Sequence, residues 1–169
     1  LSARRISDDQ LRGLDLSTWR VAFCGAERVR PETLERFTDR FRPAGFQAQA
    51  LTPCYGLAEA TLAVSMCPTE ARAPELILDR EALGRGLVQT ADANGRTVRL
   101  VSSGLSLAGL QLAIVDPAAL TPCANGVVGE IWVAGDGVAT GYWNRPELTQ
   151  ATFQAQLPGI GLKYLRTGD

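Results

Sequence analysis

The chain has 169 residues, 46% of them apolar and 21% charged, with a net charge of −1. That is an ordinary folded composition, enough for one domain or two small ones that bury roughly 70% of their unfolded surface. The near-neutral balance lacks a basic block and argues against a nucleic-acid partner, and no apolar run approaches the ~18 residues of a membrane span.

No histidine is present, which removes the Ser-His and Cys-His hydrolases and the usual zinc sites. Cys24, Cys54, Cys67 and Cys123 show no CxxC spacing. They read as buried or half-buried thiols of a reduced, cytoplasmic protein.

In chain order, Ser7 with Gln10 three residues on predicts an N-cap and capping box within a short helix or loop over 2–18. Trp19–Cys24 is a short apolar run ended by Gly25 and predicts a buried strand. Residues 31–42 form an amphipathic helix: Pro31 sits at its start, Leu34, Phe37 and Phe41 share a face, and acidic residues precede basic ones. Alternation of Phe46, Ala48 and Ala50 with Gln47 and Gln49 predicts a second strand, and Leu57–Met66 a second helix stopped by Pro68. Strand–helix–strand–helix favours a parallel α/β sheet. After Pro68 the hydrophobic period becomes two. Residues 97–101, 109–115, 128–134 and 163–166 read as strands, with Asn94-Gly95 as a hairpin turn. The fold class predicted is α/β followed by mainly antiparallel, barrel-like β. The organisation expected is 1–67 as an α/β segment, 68–104 as an insertion with a hairpin, and 105–169 as a β subdomain.

Three stretches carry chemistry. Gly25-Ala26-Glu27 and Tyr55-Gly56-Leu57-Ala58-Glu59 both follow predicted strands, and the carboxyl ends of strands are where open α/β sheets bind ligands. Tyr164-Leu-Arg-Thr-Gly-Asp169 closes the chain. An aromatic face, backbone N–H groups and a carboxylate within Thr52–Thr61 suit a nucleotide phosphate and its metal ion. There is no GxxxxGK[ST] loop; Gly135–Gly141 has the wrong spacing for GxGxxG and reads as turn glycines, and Gly104-Leu-Ser106-Leu-Ala108 lacks the last glycine of a nucleophile elbow.

Read together with Gly129-Glu-Ile-Trp-Val133, Gly141-Tyr-Trp143 and Glu147-Leu-Thr149, these stretches resemble the adenylate-forming superfamily of acyl-CoA synthetases, luciferases and peptide-synthetase adenylation domains. Within it the chain is most similar to the fatty acyl-AMP ligases. Tyr55-Gly-Leu-Ala-Glu-Ala-Thr61 has Ala58 where most of the superfamily has Thr. Residues 69–103, with Asp79-Arg-Glu-Ala-Leu83 and Leu100-Val-Ser-Ser-Gly104, resemble the insertion that marks these ligases. Ser103 stands where they often have Cys.

The resemblance implies a part of the large N-terminal domain of an enzyme that turns a fatty acid and ATP into acyl-AMP and pyrophosphate. The acyl group then passes to the phosphopantetheine thiol of an acyl carrier protein in polyketide, lipopeptide or lipid biosynthesis. It implies backbone of Gly25, Ala26 and Glu27 at the adenine edge, Tyr55 on the adenine face, and N–H groups of Gly56, Leu57 and Ala58 at the α-phosphate, aided by a helix N-terminus. Glu59 would act in catalysis by holding Mg²⁺, Asp169 would accept from the ribose hydroxyls, and the Trp143 region would serve packing. The family's phosphate-gripping lysine loop lies upstream of the matched segment and its catalytic lysine downstream, so these residues alone are expected to be inactive and to be a piece of a longer protein. The alternatives left open are an acyl-CoA ligase, an amino-acid adenylation domain and a non-catalytic scaffold.

Overall fold

The computed structural model describes residues 2–91 and 95–169. Its elements in chain order are α1 (Ser2–Arg5), α2 (Asp8–Arg12), β1 (Ala22–Cys24), α3 (Pro31–Phe41), β2 (Leu51–Tyr55), β3 (Ser65–Met66), β4 (Glu75–Asp79) and α4 (Arg80–Gly84). There follow β5 (Thr97–Val101), β6 (Leu105–Ser106), β7 (Leu110–Asp116), β8 (Thr121–Pro122), β9 (Glu130–Gly135), α5 (Pro146–Phe153) and β10 (Leu165–Arg166). Two compact units result. The first comprises Leu1–Tyr55, Met66–Leu76 and Arg99–Leu105, the second Gly56–Ser65, Ile77–Val98 and Ser106–Asp169.

In the first unit, β1 and β2 run parallel, Ala22 opposite Leu51 and Cys24 opposite Pro53, in a sheet of order β1-β2-β3-β6. The capping box of α2 forms as read: Gln10 N–H donates to Ser7 Oγ (3.2 Å) and Ser7 N–H to Gln10 Oε1 (2.9 Å). Helix α3 begins at Pro31 and turns Thr38 and Phe41 into a core with Leu11, Ala22, Ala44, Phe46, Ala50 and Leu51. Rings of Trp19, Phe37 and Phe46 meet edge to face there, at 5.1–6.3 Å between centroids, a favoured geometry for aromatic quadrupoles.

Two expected elements are different in the structure. The alternation at 46–50 does not make a strand. Gly45 turns left-handed after α3 (φ 86°), Phe46 and Ala50 are buried, and Ala48–Ala50 form a 3₁₀ turn that delivers the chain to β2. The period-two pattern belongs to a cluster that fills the core beneath α3. Likewise Leu57–Met66 is not a helix. A 3₁₀ turn covers Ala58–Ala60, Thr61 and Leu62 are left-handed (φ 53° and 81°), and Ser65–Met66 enter the sheet as β3. Burial of Val64 and Ser65, exposed by 0% and 5%, outweighs the helix propensity of the Ala-rich run. The strand expected at Trp19 starts only at Ala22.

In the second unit an antiparallel sheet has the order β10-β9-β7-β8. Its spine is the β7–β9 ladder from Leu110↔Gly135 to Val115↔Glu130, around a core of Val115, Trp132, Ala134, Leu157 and Tyr164. Asp79 caps α4, its carboxylate accepting from Ala82 N–H at 2.7 Å. Strands β4 and β5 form a two-stranded sheet; Asn94, half of the expected Asn94-Gly95 hairpin turn, lies outside the described residues.

Candidate functional site

The expected site residues fall in both units. In the first, the parallel pairing of β1 and β2 sets their carboxyl ends side by side. A Cβ on Gly25 would lie 2.7 Å from the Cys54 carbonyl oxygen, so only glycine lets the chain leave β1 against the end of β2. Ala26 is left-handed (φ 67°), and it and Glu27 are exposed just beyond the strand that ends in half-buried Tyr55. Gly25–Glu27 and Tyr55 thus stand at one edge of the sheet, where the sequence puts them. Burial pushes the neighbouring Cys24 thiol up, with Cys54 adding to it, which favours the protonated form.

In the second unit, Gly56 opens the turn that carries Leu57, Ala58 and Glu59. A Cβ on Gly56 would come within 1.5 Å of the Leu62 carbonyl oxygen, so this glycine is a steric necessity of the turn. The Leu57 carbonyl accepts from Ala60 and Leu62, both at 3.1 Å. Three residues of 3₁₀ turn replace the expected helix, and with it goes the helix N-terminus that was to favour a phosphate; what remains is backbone N–H groups beside exposed Ala58.

Glu59 is fixed from both ends. Its carbonyl accepts from Ala139 N–H (2.8 Å), and its Oε1 accepts from the Tyr142 hydroxyl (2.7 Å). Thr61 Oγ1 donates to the Gly137 carbonyl at 2.6 Å. The hydrogen bond from Tyr142, helped by the turn's own backbone, holds the Glu59 carboxyl below its usual range, and the same bond pushes the Tyr142 phenol up. Tyr142 is itself locked: its N–H donates to Thr149 Oγ1 (2.9 Å) and its ring meets Phe153 of α5 edge-on at 5.0 Å. A Cβ on Gly141 would collide with the Thr149 side chain.

Asp169 ends a turn held on β9. Its N–H donates to Thr167 Oγ1 (3.1 Å) and its carbonyl accepts from Ile131 N–H (3.0 Å), while Thr167 Oγ1 donates to the Ile131 carbonyl (2.7 Å). Glu130, only 9% exposed, accepts from Arg166 Nη2 (2.9 Å) and from Gly168 N–H (3.1 Å). The Arg166 guanidinium sits 5.5 Å from the Trp132 ring centroid. Burial raises the Glu130 carboxyl, but Arg166, the Trp132 indole and the Gly168 N–H outweigh it and the net shift is downward. Among the described residues the Trp132 indole N–H meets no partner at hydrogen-bond geometry.

Sequence reasoning missed Tyr142 and Glu130. Both lay in quoted motifs, but their partners are 83 and 36 residues away. The glycines of 135–141, read as turn residues, belong to the loop that docks on Glu59 and Thr61. Within the Trp143 region, expected to serve packing, Tyr142 packs against Phe153 and Trp143 is 90% exposed.

Residues 2–143 match the family model described as AMP-binding enzyme. The chain is 45% identical over 175 residues to 4-hydroxyphenylalkanoate adenylyltransferase of Mycobacterium marinum, covering 100% of this chain and 28% of that protein. It is 46% identical over 170 residues to medium-chain-fatty-acid–(acyl-carrier-protein) ligase JamA of Moorena producens, covering 98% and 29%. Among solved structures it resembles the fatty acyl-adenylate ligase of Legionella pneumophila in complex with acyl adenylate and pyrophosphate. The TM-score is 0.93 at 43% identity, over 99% of this chain and 29% of that one. The chain therefore spans less than a third of the length of the relatives it matches.

Proposed function

The chain belongs to the AMP-binding enzyme family, and on that premise we propose that it is part of an adenylate-forming acid ligase of the fatty acyl-AMP class. The observation that carries this reading is the likeness, over nearly the whole chain, to a ligase solved with acyl adenylate and pyrophosphate. In the proposed reaction a fatty acid carboxylate oxygen attacks the α-phosphorus of ATP. The bond to the bridging oxygen breaks, pyrophosphate leaves, and acyl-AMP forms. The phosphopantetheine thiol of an acyl carrier protein then attacks the acyl carbonyl and AMP departs; JamA bears that partner in its name.

Catalysis of this kind rests on positioning and on neutralising charge as it develops. Backbone of Gly25, Ala26 and Glu27 would read the adenine edge, and Tyr55 would offer its ring to the base. N–H groups of Gly56, Leu57 and Ala58 would face the α-phosphate as individual donors; Ala58 contributes no hydroxyl. Asp169 would accept from the ribose hydroxyls, which suits a two-oxygen acceptor.

Glu59 fits a Mg²⁺ ion: it is an ionised oxygen donor with one oxygen already oriented by Tyr142. Among the described residues no three acidic, Cys or His groups converge, which suits magnesium held by one carboxylate, phosphates and water. The ion, when bound, would supply charge neutralisation on the phosphates.

The test is to give the full-length protein ATP, Mg²⁺ and a series of fatty acids and 4-hydroxyphenylalkanoates, the second class suggested by the adenylyltransferase relative, and to follow pyrophosphate and acyl-AMP. No pyrophosphate with any acid refutes the reading. Faster acyl transfer to CoA than to carrier protein would replace it with an acyl-CoA ligase. Deleting 69–100 is expected to raise transfer to CoA.

A further inference from the structure

We propose that Glu130 is a positioning residue for nucleotide binding, acting through the turn that presents Asp169. The proposal rests on the reading of Asp169 as the ribose acceptor.

Glu130 and Trp132 are two residues apart on β9 and share a face of the sheet. Arg166 lies directly opposite Trp132 in the β9–β10 pairing and so joins that face. The result is a layered cluster, with the guanidinium against the Trp132 ring and its Nη2 on the buried carboxylate. One carboxylate oxygen takes Arg166 Nη2, and the other takes the Gly168 N–H. That second bond sets the turn. Gly168 is left-handed (φ 78°), and its N–H fixes the Thr167–Gly168 peptide plane, one peptide before the plane whose Asp169 N–H sits on Thr167 Oγ1, itself bonded to the Ile131 carbonyl of β9. With the Ile131 N–H on the Asp169 carbonyl, the backbone on both sides of the Asp169 Cα is tied to β9. The cluster therefore converts a buried ion pair into the orientation of an exposed carboxylate three residues beyond Arg166.

A buried carboxylate of this kind adds little net stability, because desolvation offsets most of the attraction. Its benefit is that Asp169 enters the complex already oriented, which lowers the ordering cost of binding. This predicts that Glu130 matters to nucleotides only through the ribose hydroxyls.

The experiment measures, by calorimetry on the full-length protein, the affinity for ATP and for 2′,3′-dideoxy-ATP in wild type, Asp169→Ala, Glu130→Ala and Glu130→Gln. Hydrogen bonds to a charged group are strong enough that Asp169→Ala should weaken ATP binding on the order of tenfold or more, with the dideoxy compound changed less than about twofold. Glu130→Ala should show the same selectivity, losing about tenfold for ATP only. Glu130→Gln keeps an acceptor for the Gly168 N–H, so it should retain most of the ATP affinity; it also covers failure of the alanine variant to fold, read by thermal unfolding. Equal weakening of both nucleotides by the Glu130 variants, or no weakening by Glu130→Ala, overturns the positioning role while Asp169 selectivity stands. If Asp169→Ala itself does not distinguish the two nucleotides, the ribose reading fails and the proposal falls with it.

Discussion

Replacing Tyr142 by phenylalanine removes one oxygen and leaves the packing intact. The ring still meets Phe153 at 5.0 Å, and the backbone still bonds Thr149. What is lost is the 2.7 Å hydrogen bond to Glu59 Oε1. A hydrogen bond to a charged acceptor contributes ~1.5–3 kcal/mol, and because both groups are half exposed, water recovers part of it. The expected loss is ~1 kcal/mol, about a fivefold change in equilibrium. The pH dependence follows from the lowered Glu59 carboxyl. A folded-state value below the unfolded one contributes stability above the ordinary 4.5 and loses it as the pH falls through the lower folded value. The wild type should therefore exceed Tyr142→Phe by ~1 kcal/mol near pH 7, with the difference shrinking as the pH falls below the ordinary carboxylate value. It should shrink again at high pH, once the raised Tyr142 phenol ionises. Denaturant melts across this range measure the gap, and Mg²⁺-dependent ATP binding should weaken by about fivefold. Equal stability at all pH values, or a gap that persists undiminished in acid, refutes the assignment of the bond to an ionised Glu59.

Other substitutions test the frame. Gly56→Ala puts a methyl where the Leu62 carbonyl stands; it should cost at least ~1–3 kcal/mol and lower ATP affinity, and a wild-type melting temperature with wild-type affinity would sink the steric account. Trp132→Ala empties the core at a residue 1% exposed and should cost ~3–5 kcal/mol in unfolding free energy; a loss below ~1 kcal/mol would show that the β9 core is not as described. Glu130→Gln should be less stable than wild type at neutral pH, with the gap closing as the pH falls below the ordinary carboxylate value, because the Glu130 carboxyl is held low in the folded state; a gap independent of pH would count against the Arg166 pair.

The sequence alone determined the local and the periodic. The capping box at Ser7, the helix opened by Pro31 and the strands around 97–101, 110–116 and 130–135 follow from neighbours within a few residues, so their signals are written in the sequence. Motif order was legible as well, and it pointed to the family. What tertiary structure decided is the conformation of segments whose local preference is weak. The Ala-rich run after Gly56 would be a helix by propensity, but burial of Val64 and close packing at Gly56 turn it into a 3₁₀ turn and a strand. The supports of Glu59 and Asp169 come from Tyr142 and Glu130, far along the chain. A charge-assisted bond of that range has no sequence period; it exists only once the loop 135–142 and strand β9 are in place.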